Sequence, residues 1–326
     1  MTPVTILNNI KVTDPTTPLN NAYQGGPFSV SGESMTAQSY QISKPPATFE
    51  EQLQILKSRG LIVEDEDFAI RKLKKINYYR LSAYGLSLKR RGTYIPGTTF
   101  ARIYNLYEFD RRFRYLILEL AEQVEIAFRT HISYHIAHQY GAFGHLEAAH
   151  FDNVDYHQSF LYALTKEVQR SQEQFIRHHL DKYHGDIPIW VAVEVLSFGA
   201  LSKLYSNMKL EDQTYIAKTN YRVPAVYLKS WLKCFAYVRN ICAHYGRLYN
   251  RPLTSKPRLS REWKARGIPQ DRIFAPICIA KQLIHDPQIW SDFLVRLEAL
   301  FSAYHEDVEL HRIGFPEDWE ALLRKP

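Results

Sequence analysis

Arg239, Asn240 and His244 have the types and spacing to act on a phosphodiester. Cleaving RNA without a metal needs a base to take the 2′-hydroxyl proton and an acid to protonate the leaving 5′-oxygen. It also needs a cation to hold the charge that builds on phosphorus. Histidine suits both proton-transfer roles because it titrates near neutrality. Arginine suits the third, because its planar fork of N–H groups matches two phosphate oxygens. The amide of Asn240 could orient either of them. Arg247, Tyr249 and Arg251 follow at once, with Lys256 and Arg258 shortly after. These five form a candidate RNA-binding set.

Charge is concentrated around the same residues. The 326-residue chain carries a formal +7. Between Lys229 and Arg272 eleven Lys and Arg stand against Glu262 and Asp271, a local +9 that leaves the remainder slightly acidic. Such a segment is either a solvated face or a surface for an acidic partner such as nucleic acid.

The element that must carry the three residues is a helix from Pro224 to about Tyr245, stopped by Gly246. On it Leu228, Trp231, Leu232, Phe235 and Cys242 fall on one apolar stripe, with Arg239 in its middle. A guanidinium cannot stay unpaired in a core. Either a carboxylate meets it there, with Glu125 and Glu194 as candidates, or the stripe opens into a polar cleft. Asn240 and His244 are four apart and share another face, with Lys233 and Tyr237 beside them.

The rest of the chain also reads as helix. Thr48 and Glu51 form a capping box for Phe49–Ser58, which Gly60 ends. Helices follow over Asp65–Lys75 and from Asn77 to near Gly85, then a turn with a short extended piece at 91–98. Phe100 to Tyr140 contains no Gly or Pro and predicts one very long helix or two nearly continuous ones. A loop spans Gly141–Asp155. Further helices are expected over Tyr156–Leu180, Trp190–Tyr205, Pro276–His285 and Pro287–Ala303. No alternating run argues for a substantial sheet, so the fold class is all-α. Residues 1–44, rich in Thr, Asn, Gly, Ser and Pro, read as a flexible arm, with Met35 as a candidate original start.

Several functional classes are excluded or weakened. No apolar run is long enough for a membrane helix, and the first 30 residues lack the pattern of a secretory signal. Cys234, Cys242 and Cys278 form no CxxC pair. Cys234 and Cys242, eight apart on one helix, would be roughly 12 Å apart, too far for a disulfide. These features suit a cytoplasmic protein with structural thiols. There is no phosphate loop, G-x-G-x-x-G or G-x-S-x-G. His131, His135 and His138 share a helix face that could bind a metal. No H-E-x-x-H arrangement accompanies them, however, and His131 and His135 continue the stripe of Ile117, Ala121, Val124 and Phe128, so packing is the commoner outcome. Adjacent His178 and His179 diverge, which argues against joint ligation. Glu125 and Arg129 have the spacing of an intrahelical ion pair, with a supporting role beside Arg239 as the alternative. Tyr78, Tyr79 and Tyr84 could stack on bases, although helix packing is the usual fate of such residues.

Arg239 to His244 has the R-x(4–6)-H form of HEPN ribonucleases, a pattern that Arg129–His135 and Arg177–His184 also match. Context favours the first pair. The chain further resembles the Abi-like (AbiD/AbiF-type) abortive-infection proteins, which carry a HEPN domain. The resemblance covers residues 45–320. It rests on Lys75-Ile76-Asn77-Tyr78-Tyr79-Arg80-Leu81-Ser82-Ala83-Tyr84, Tyr107-Glu108-Phe109-Asp110-Arg111 and Val124-Glu125-Ile126-Ala127-Phe128-Arg129. It continues with Pro188-Ile189-Trp190, Ser197-Phe198-Gly199, Val238-Arg239-Asn240-Ile241-Cys242-Ala243-His244, Arg247-Leu248-Tyr249-Asn250-Arg251 and Ile313-Gly314-Phe315-Pro316 with Trp319.

The resemblance implies a multi-helix bundle of HEPN type with additional N- and C-terminal helices. On that basis an N-terminal helical region at 45–98, a core at 99–250 and a C-terminal extension at 251–326 are expected. It also implies a metal-independent endoribonuclease toxin of phage defence that uses no cofactor. Arg239, Asn240 and His244 would be its catalytic residues. Because only one convincing motif is present, the active site would need a homodimer. Some members are restrained by a small noncoding RNA. The alternative is a non-catalytic RNA-binding HEPN protein held with such an RNA.

Overall fold

A computed structural model describes residues 45–324. The expected arm at 1–44 and the candidate start at Met35 lie outside them. The described chain is all-α apart from one two-residue hairpin. Its spine is α4, Phe100–Tyr140, a single uninterrupted helix of 41 residues and about 60 Å. Thr99 opens it by accepting from the Arg102 amide, and Gly141 closes it at φ 82°.

Ahead of the spine lie α1 (Phe49–Ser58), α2 (Glu66–Leu73) and α3 (Tyr78–Ser82), then a 3-10 turn over Ala83–Leu88. The Thr48–Glu51 capping box forms as the sequence indicates. Strands β1 (Lys89–Arg90) and β2 (Thr93–Tyr94) join through Arg91 and Gly92, both at positive φ, as a tight two-residue hairpin requires.

After the spine come α5 (Val154–Arg170), α6 (Gln174–Lys182), α7 (Ile189–Val195), α8 (Phe198–Asn207), α9 (Leu210–Tyr221) and α10 (Ala225–Ala243). The chain ends in α11 (Arg261–Ala265), α12 (Phe274–Leu283), α13 (Pro287–Ala303) and α14 (Trp319–Arg324). Helices α7, α9, α10, α12 and α13 all pack on α4, and α10 also packs on α8, α9 and α12. Phe109, Phe113, Phe128, Leu228 and Leu232, all under 1% exposed, lie at the centre.

Two expected helices are each divided in the structure. Tyr156–Leu180 breaks at Ser171, where α5 ends in extended backbone. Trp190–Tyr205 breaks at Leu196, because Ser197 caps a new helix by accepting from the Ala200 amide. Helix α9 falls where no helix is expected from sequence. Its buried face carries Asp212 and Gln213 beside Ile216, Ala217 and Tyr221, which interrupts the apolar period. Both polar groups are partnered. Asp212 accepts from Tyr140 Oη at 2.8 Å and sits 2.6 Å from His135 Nε2, and Gln213 donates to the Met208 carbonyl at 2.7 Å.

Candidate functional site: the C-terminal end of helix α10

Apolar burial on one side and solvent on the other fix the roll of α10. Leu228, Trp231, Leu232, Phe235, Val238 and Cys242 are buried, whereas Lys229, Lys233 and Asn240 form an exposed stripe that leads to exposed His244. Arg239 lies at the border between the two. Its Nε is 3.6 Å from Glu125 Oε2 on α4, and its side chain keeps 38% exposure. The first of the two sequence expectations for this guanidinium therefore holds: a buried carboxylate meets it, and its outer side stays exposed. Glu194, the other candidate, is exposed on α7. Arg239 also donates to Asn240 Oδ1 at 3.5 Å, the outer limit of a hydrogen bond.

Glu125 is 8% exposed and carries a second load. Arg129, one turn along α4, forms an ion pair with it and donates to the carbonyls of Val193 and Leu196. Arg129 thus satisfies carbonyls left open at the end of α7 while it fixes one side of Glu125. The intrahelical pair forms as its spacing indicates, but nearly buried, and it links α7, α4 and Arg239.

A Schellman-type corner ends the helix. The Tyr245 amide donates to the Cys242 carbonyl at 3.1 Å and the Gly246 amide to Ile241 at 2.7 Å. The left-handed residue is Tyr245, at φ 59°, and not the neighbouring glycine. A non-glycine residue pays roughly 1–2 kcal/mol for this conformation, and Tyr245 as a whole is 65% exposed. Gly246 is required for a different reason. A Cβ there would lie 2.9 Å from Ile241 Cγ2 and 3.0 Å from Ile241 O.

Asp110 anchors the chain beyond the corner, a role that its sequence setting conceals. It is fully buried on α4 and accepts from the Tyr249 amide at 2.7 Å and the Leu248 amide at 3.1 Å. It accepts further from Tyr84 Oη at 2.7 Å and Arg114 at 2.6 Å. Burial pushes its carboxyl above the ordinary range, while Arg114, the Tyr84 hydroxyl and the two amides oppose that. Two arginines then cross-link the N-terminal helices to the corner in opposite directions. Arg80 on α3 donates to the Tyr245 carbonyl at 2.5 Å, and Arg247 donates to the Ala83 carbonyl at 3.3 Å.

The candidate RNA-binding residues separate in space. Tyr249 is 1% exposed, packs edge-on against Phe109 and accepts from the Glu309 amide. It is a core residue, which corrects its expected place in the set. The connection after it runs back along α10. Its Thr254 amide donates to Tyr237 Oη at 3.5 Å, its Arg258 amide to Ser230 Oγ at 2.8 Å, and its Arg258 carbonyl accepts from Trp231 Nε1 at 2.6 Å. Exposed Lys256 and Arg258 therefore lie beside the first half of α10 with Lys229 and Lys233. From there to His244 is about 20 Å of helix. Arg247 and Arg251 stay at the corner, both half-buried.

The histidines of α4 are each separately engaged. His131 Nδ1 is 2.9 Å from Tyr221 Oη, His135 pairs with Asp212, and His138 Nδ1 is 2.8 Å from the Tyr134 carbonyl. Among the described residues no three His, Cys, Asp or Glu side chains converge as metal ligands. Cys234, Cys242 and Cys278 are buried free thiols. Among the described residues no helix is long and apolar enough to cross a membrane.

A family model described as Abi-like protein matches residues 71–250. The chain belongs to the Abi-like protein family. The match runs from within α2 through the whole spine to the residues that Asp110 anchors, and includes Arg239, Asn240 and His244. Membership of the Abi-like family implies a role in abortive infection, the phage-defence setting. No curated protein and no solved structure matches the chain.

Proposed function

We propose that this Abi-like protein is a metal-independent endoribonuclease of HEPN type, acting as a toxin in abortive infection. The observation that carries the reading is the state of Arg239. A buried carboxylate aims its guanidinium, which still has an open side, at the same helix end as exposed Asn240 and His244.

One chain offers one imidazole in this motif, whereas the reaction needs two proton-transfer groups. The working unit is therefore a homodimer that sets two copies of Arg239, Asn240 and His244 around one phosphate. The 2′-oxygen bonds to phosphorus as its proton passes to one His244. The bond from phosphorus to the 5′-oxygen breaks as that oxygen takes a proton from the other, which leaves a 2′,3′-cyclic phosphate. Arg239 stabilises the charge on the phosphoryl oxygens, Asn240 orients Arg239, and Glu125 with Arg129 hold it in place. The strip of Lys229, Lys233, Lys256 and Arg258, with Arg247 and Arg251 at the corner, holds the RNA backbone.

Purified protein incubated with RNA in EDTA tests this. Cleavage is expected to survive chelation and to vanish in His244→Ala and Arg239→Ala, with folding intact. Undiminished cleavage in those variants, or loss of wild-type cleavage in EDTA, overturns it. The basic strip of Lys229, Lys233, Lys256 and Arg258, set about 20 Å of helix away from His244, favours a second reading, a non-catalytic binder held with a small noncoding RNA. That reading expects a salt-sensitive complex with intact RNA.

A further inference from the structure

We infer that Arg80, Tyr79 and Tyr245 form a platform that grips a single-stranded RNA nucleotide beside the scissile phosphate; this rests on the ribonuclease reading above. Of the three tyrosines at 78, 79 and 84, two are absorbed by the fold. Tyr84 is buried on Asp110, and half-buried Tyr78 accepts from Arg59 at 3.2 Å. Tyr79 alone points outward, 78% exposed. The next residue, exposed Arg80, reaches across to the Tyr245 carbonyl. That carbonyl belongs to the residue directly after His244.

The Arg80–Tyr245 hydrogen bond therefore joins two segments that each present a tyrosine ring to solvent. Among the described residues Arg80 makes no other hydrogen bond, so the rest of its fork faces outward. Tyr245 makes no ring contact among the described residues, and its backbone is held in the left-handed region. Large apolar surface on a strained residue calls for a ligand with an apolar face. A nucleobase supplies that face, and the adjoining phosphate suits Arg80. Bases in a duplex are already stacked on one another, so the platform selects unpaired RNA.

The test uses full-length His244→Ala protein, which binds without cleaving, with a labelled single-stranded oligoribonucleotide and its duplex. Affinity is measured against salt. Arg80→Gln is expected to lower the salt slope for the single strand by about 0.7, one phosphate contact. Tyr245→Asn keeps a residue tolerant of the left-handed corner but removes the ring. It and Tyr79→Leu are each expected to weaken single-strand binding about tenfold and to leave the duplex unchanged. Tyr245→Phe and Tyr79→Phe restore it. A merely structural role for these residues would shift melting temperature and affect both RNAs alike.

An unchanged slope in Arg80→Gln, or equal losses in the Leu or Asn and the Phe variants, overturns the platform. If wild-type protein also cleaves in EDTA while Arg239→Ala does not, the ribonuclease reading survives that result. If His244→Ala protein binds neither RNA and the wild type cleaves neither, both fail.

Discussion

Replacing Asp110 with asparagine should cost far more stability than one lost charge on a helix suggests. Every partner of Asp110 is a donor: the Leu248 and Tyr249 amides, the Tyr84 hydroxyl and the Arg114 guanidinium. Only an acceptor-only carboxylate satisfies all four. Asparagine keeps one oxygen and turns an NH2 group toward the remaining donors. The change leaves Arg114, 4% exposed, without its counter-ion. Breaking a buried pair from one side costs about 3–5 kcal/mol. At about 1.5 °C per kcal/mol for a chain of this length, the melting temperature should fall by roughly 5–8 °C. Differential scanning calorimetry measures it. Arg114→Met should cost a similar amount. The double variant Asp110→Asn/Arg114→Met should lose less than the sum, because the uncompensated charge is gone. The two donors from Leu248 and Tyr249 stay underserved, so recovery is incomplete. A melting temperature within about 2 °C of wild type for Asp110→Asn, or strict additivity in the double, would refute the reasoning.

Under the proposed ribonuclease mechanism, Glu125→Gln should lower kcat for RNA cleavage about a hundredfold with little change in KM, because Arg239 loses the carboxylate that aims it; an unaltered kcat would show that Glu125 only packs. His145 is buried with neither ring nitrogen partnered, and burial pushes its pKa down to about 4. A depressed histidine charges more readily in the unfolded chain, so stability falls as pH drops below about 6.5, by about 3 kcal/mol at pH 4. His145→Leu should remove that component, which urea titrations at pH 7 and pH 4 read as a smaller difference between the two. Gly246→Ala should cost about 1–3 kcal/mol through the clash with Ile241, and a melting temperature equal to wild type would contradict it.

Much of the helical frame can be read from the sequence because it rests on local chemistry. The capping box at Thr48 and Glu51 and the absence of Gly and Pro from 100 to 140 place α1 and α4 directly. The all-α class follows from the same signals. Residues that act across the fold resist such reading. Asp110 sits in a charged run that looks like surface, and only the approach of 248–249 reveals its purpose. Helix α9 hides because Asp212 and Gln213 occupy its inner face. Tyr249 looks available between Arg247 and Arg251, yet the Asp110 anchor pulls it inside. At Gly246 the sequence marks the right place for a helix stop, but the left-handed residue is Tyr245, and glycine serves the close approach to Ile241 instead.

The spine has a thermodynamic consequence. Because α4 is a shared wall for helices before and after it, no cut in sequence leaves a piece with its own closed core. Asn105 donates to Asp307, and Glu119 pairs with Arg296, which ties the spine to the C-terminal part of the described chain. Arg80 and Arg247 stitch the first helices to the corner in the same manner. Unfolding should therefore proceed as one cooperative event. Limited proteolysis in the connection after Tyr249 should then leave the two fragments associated, not release a stable helical core that keeps the motif.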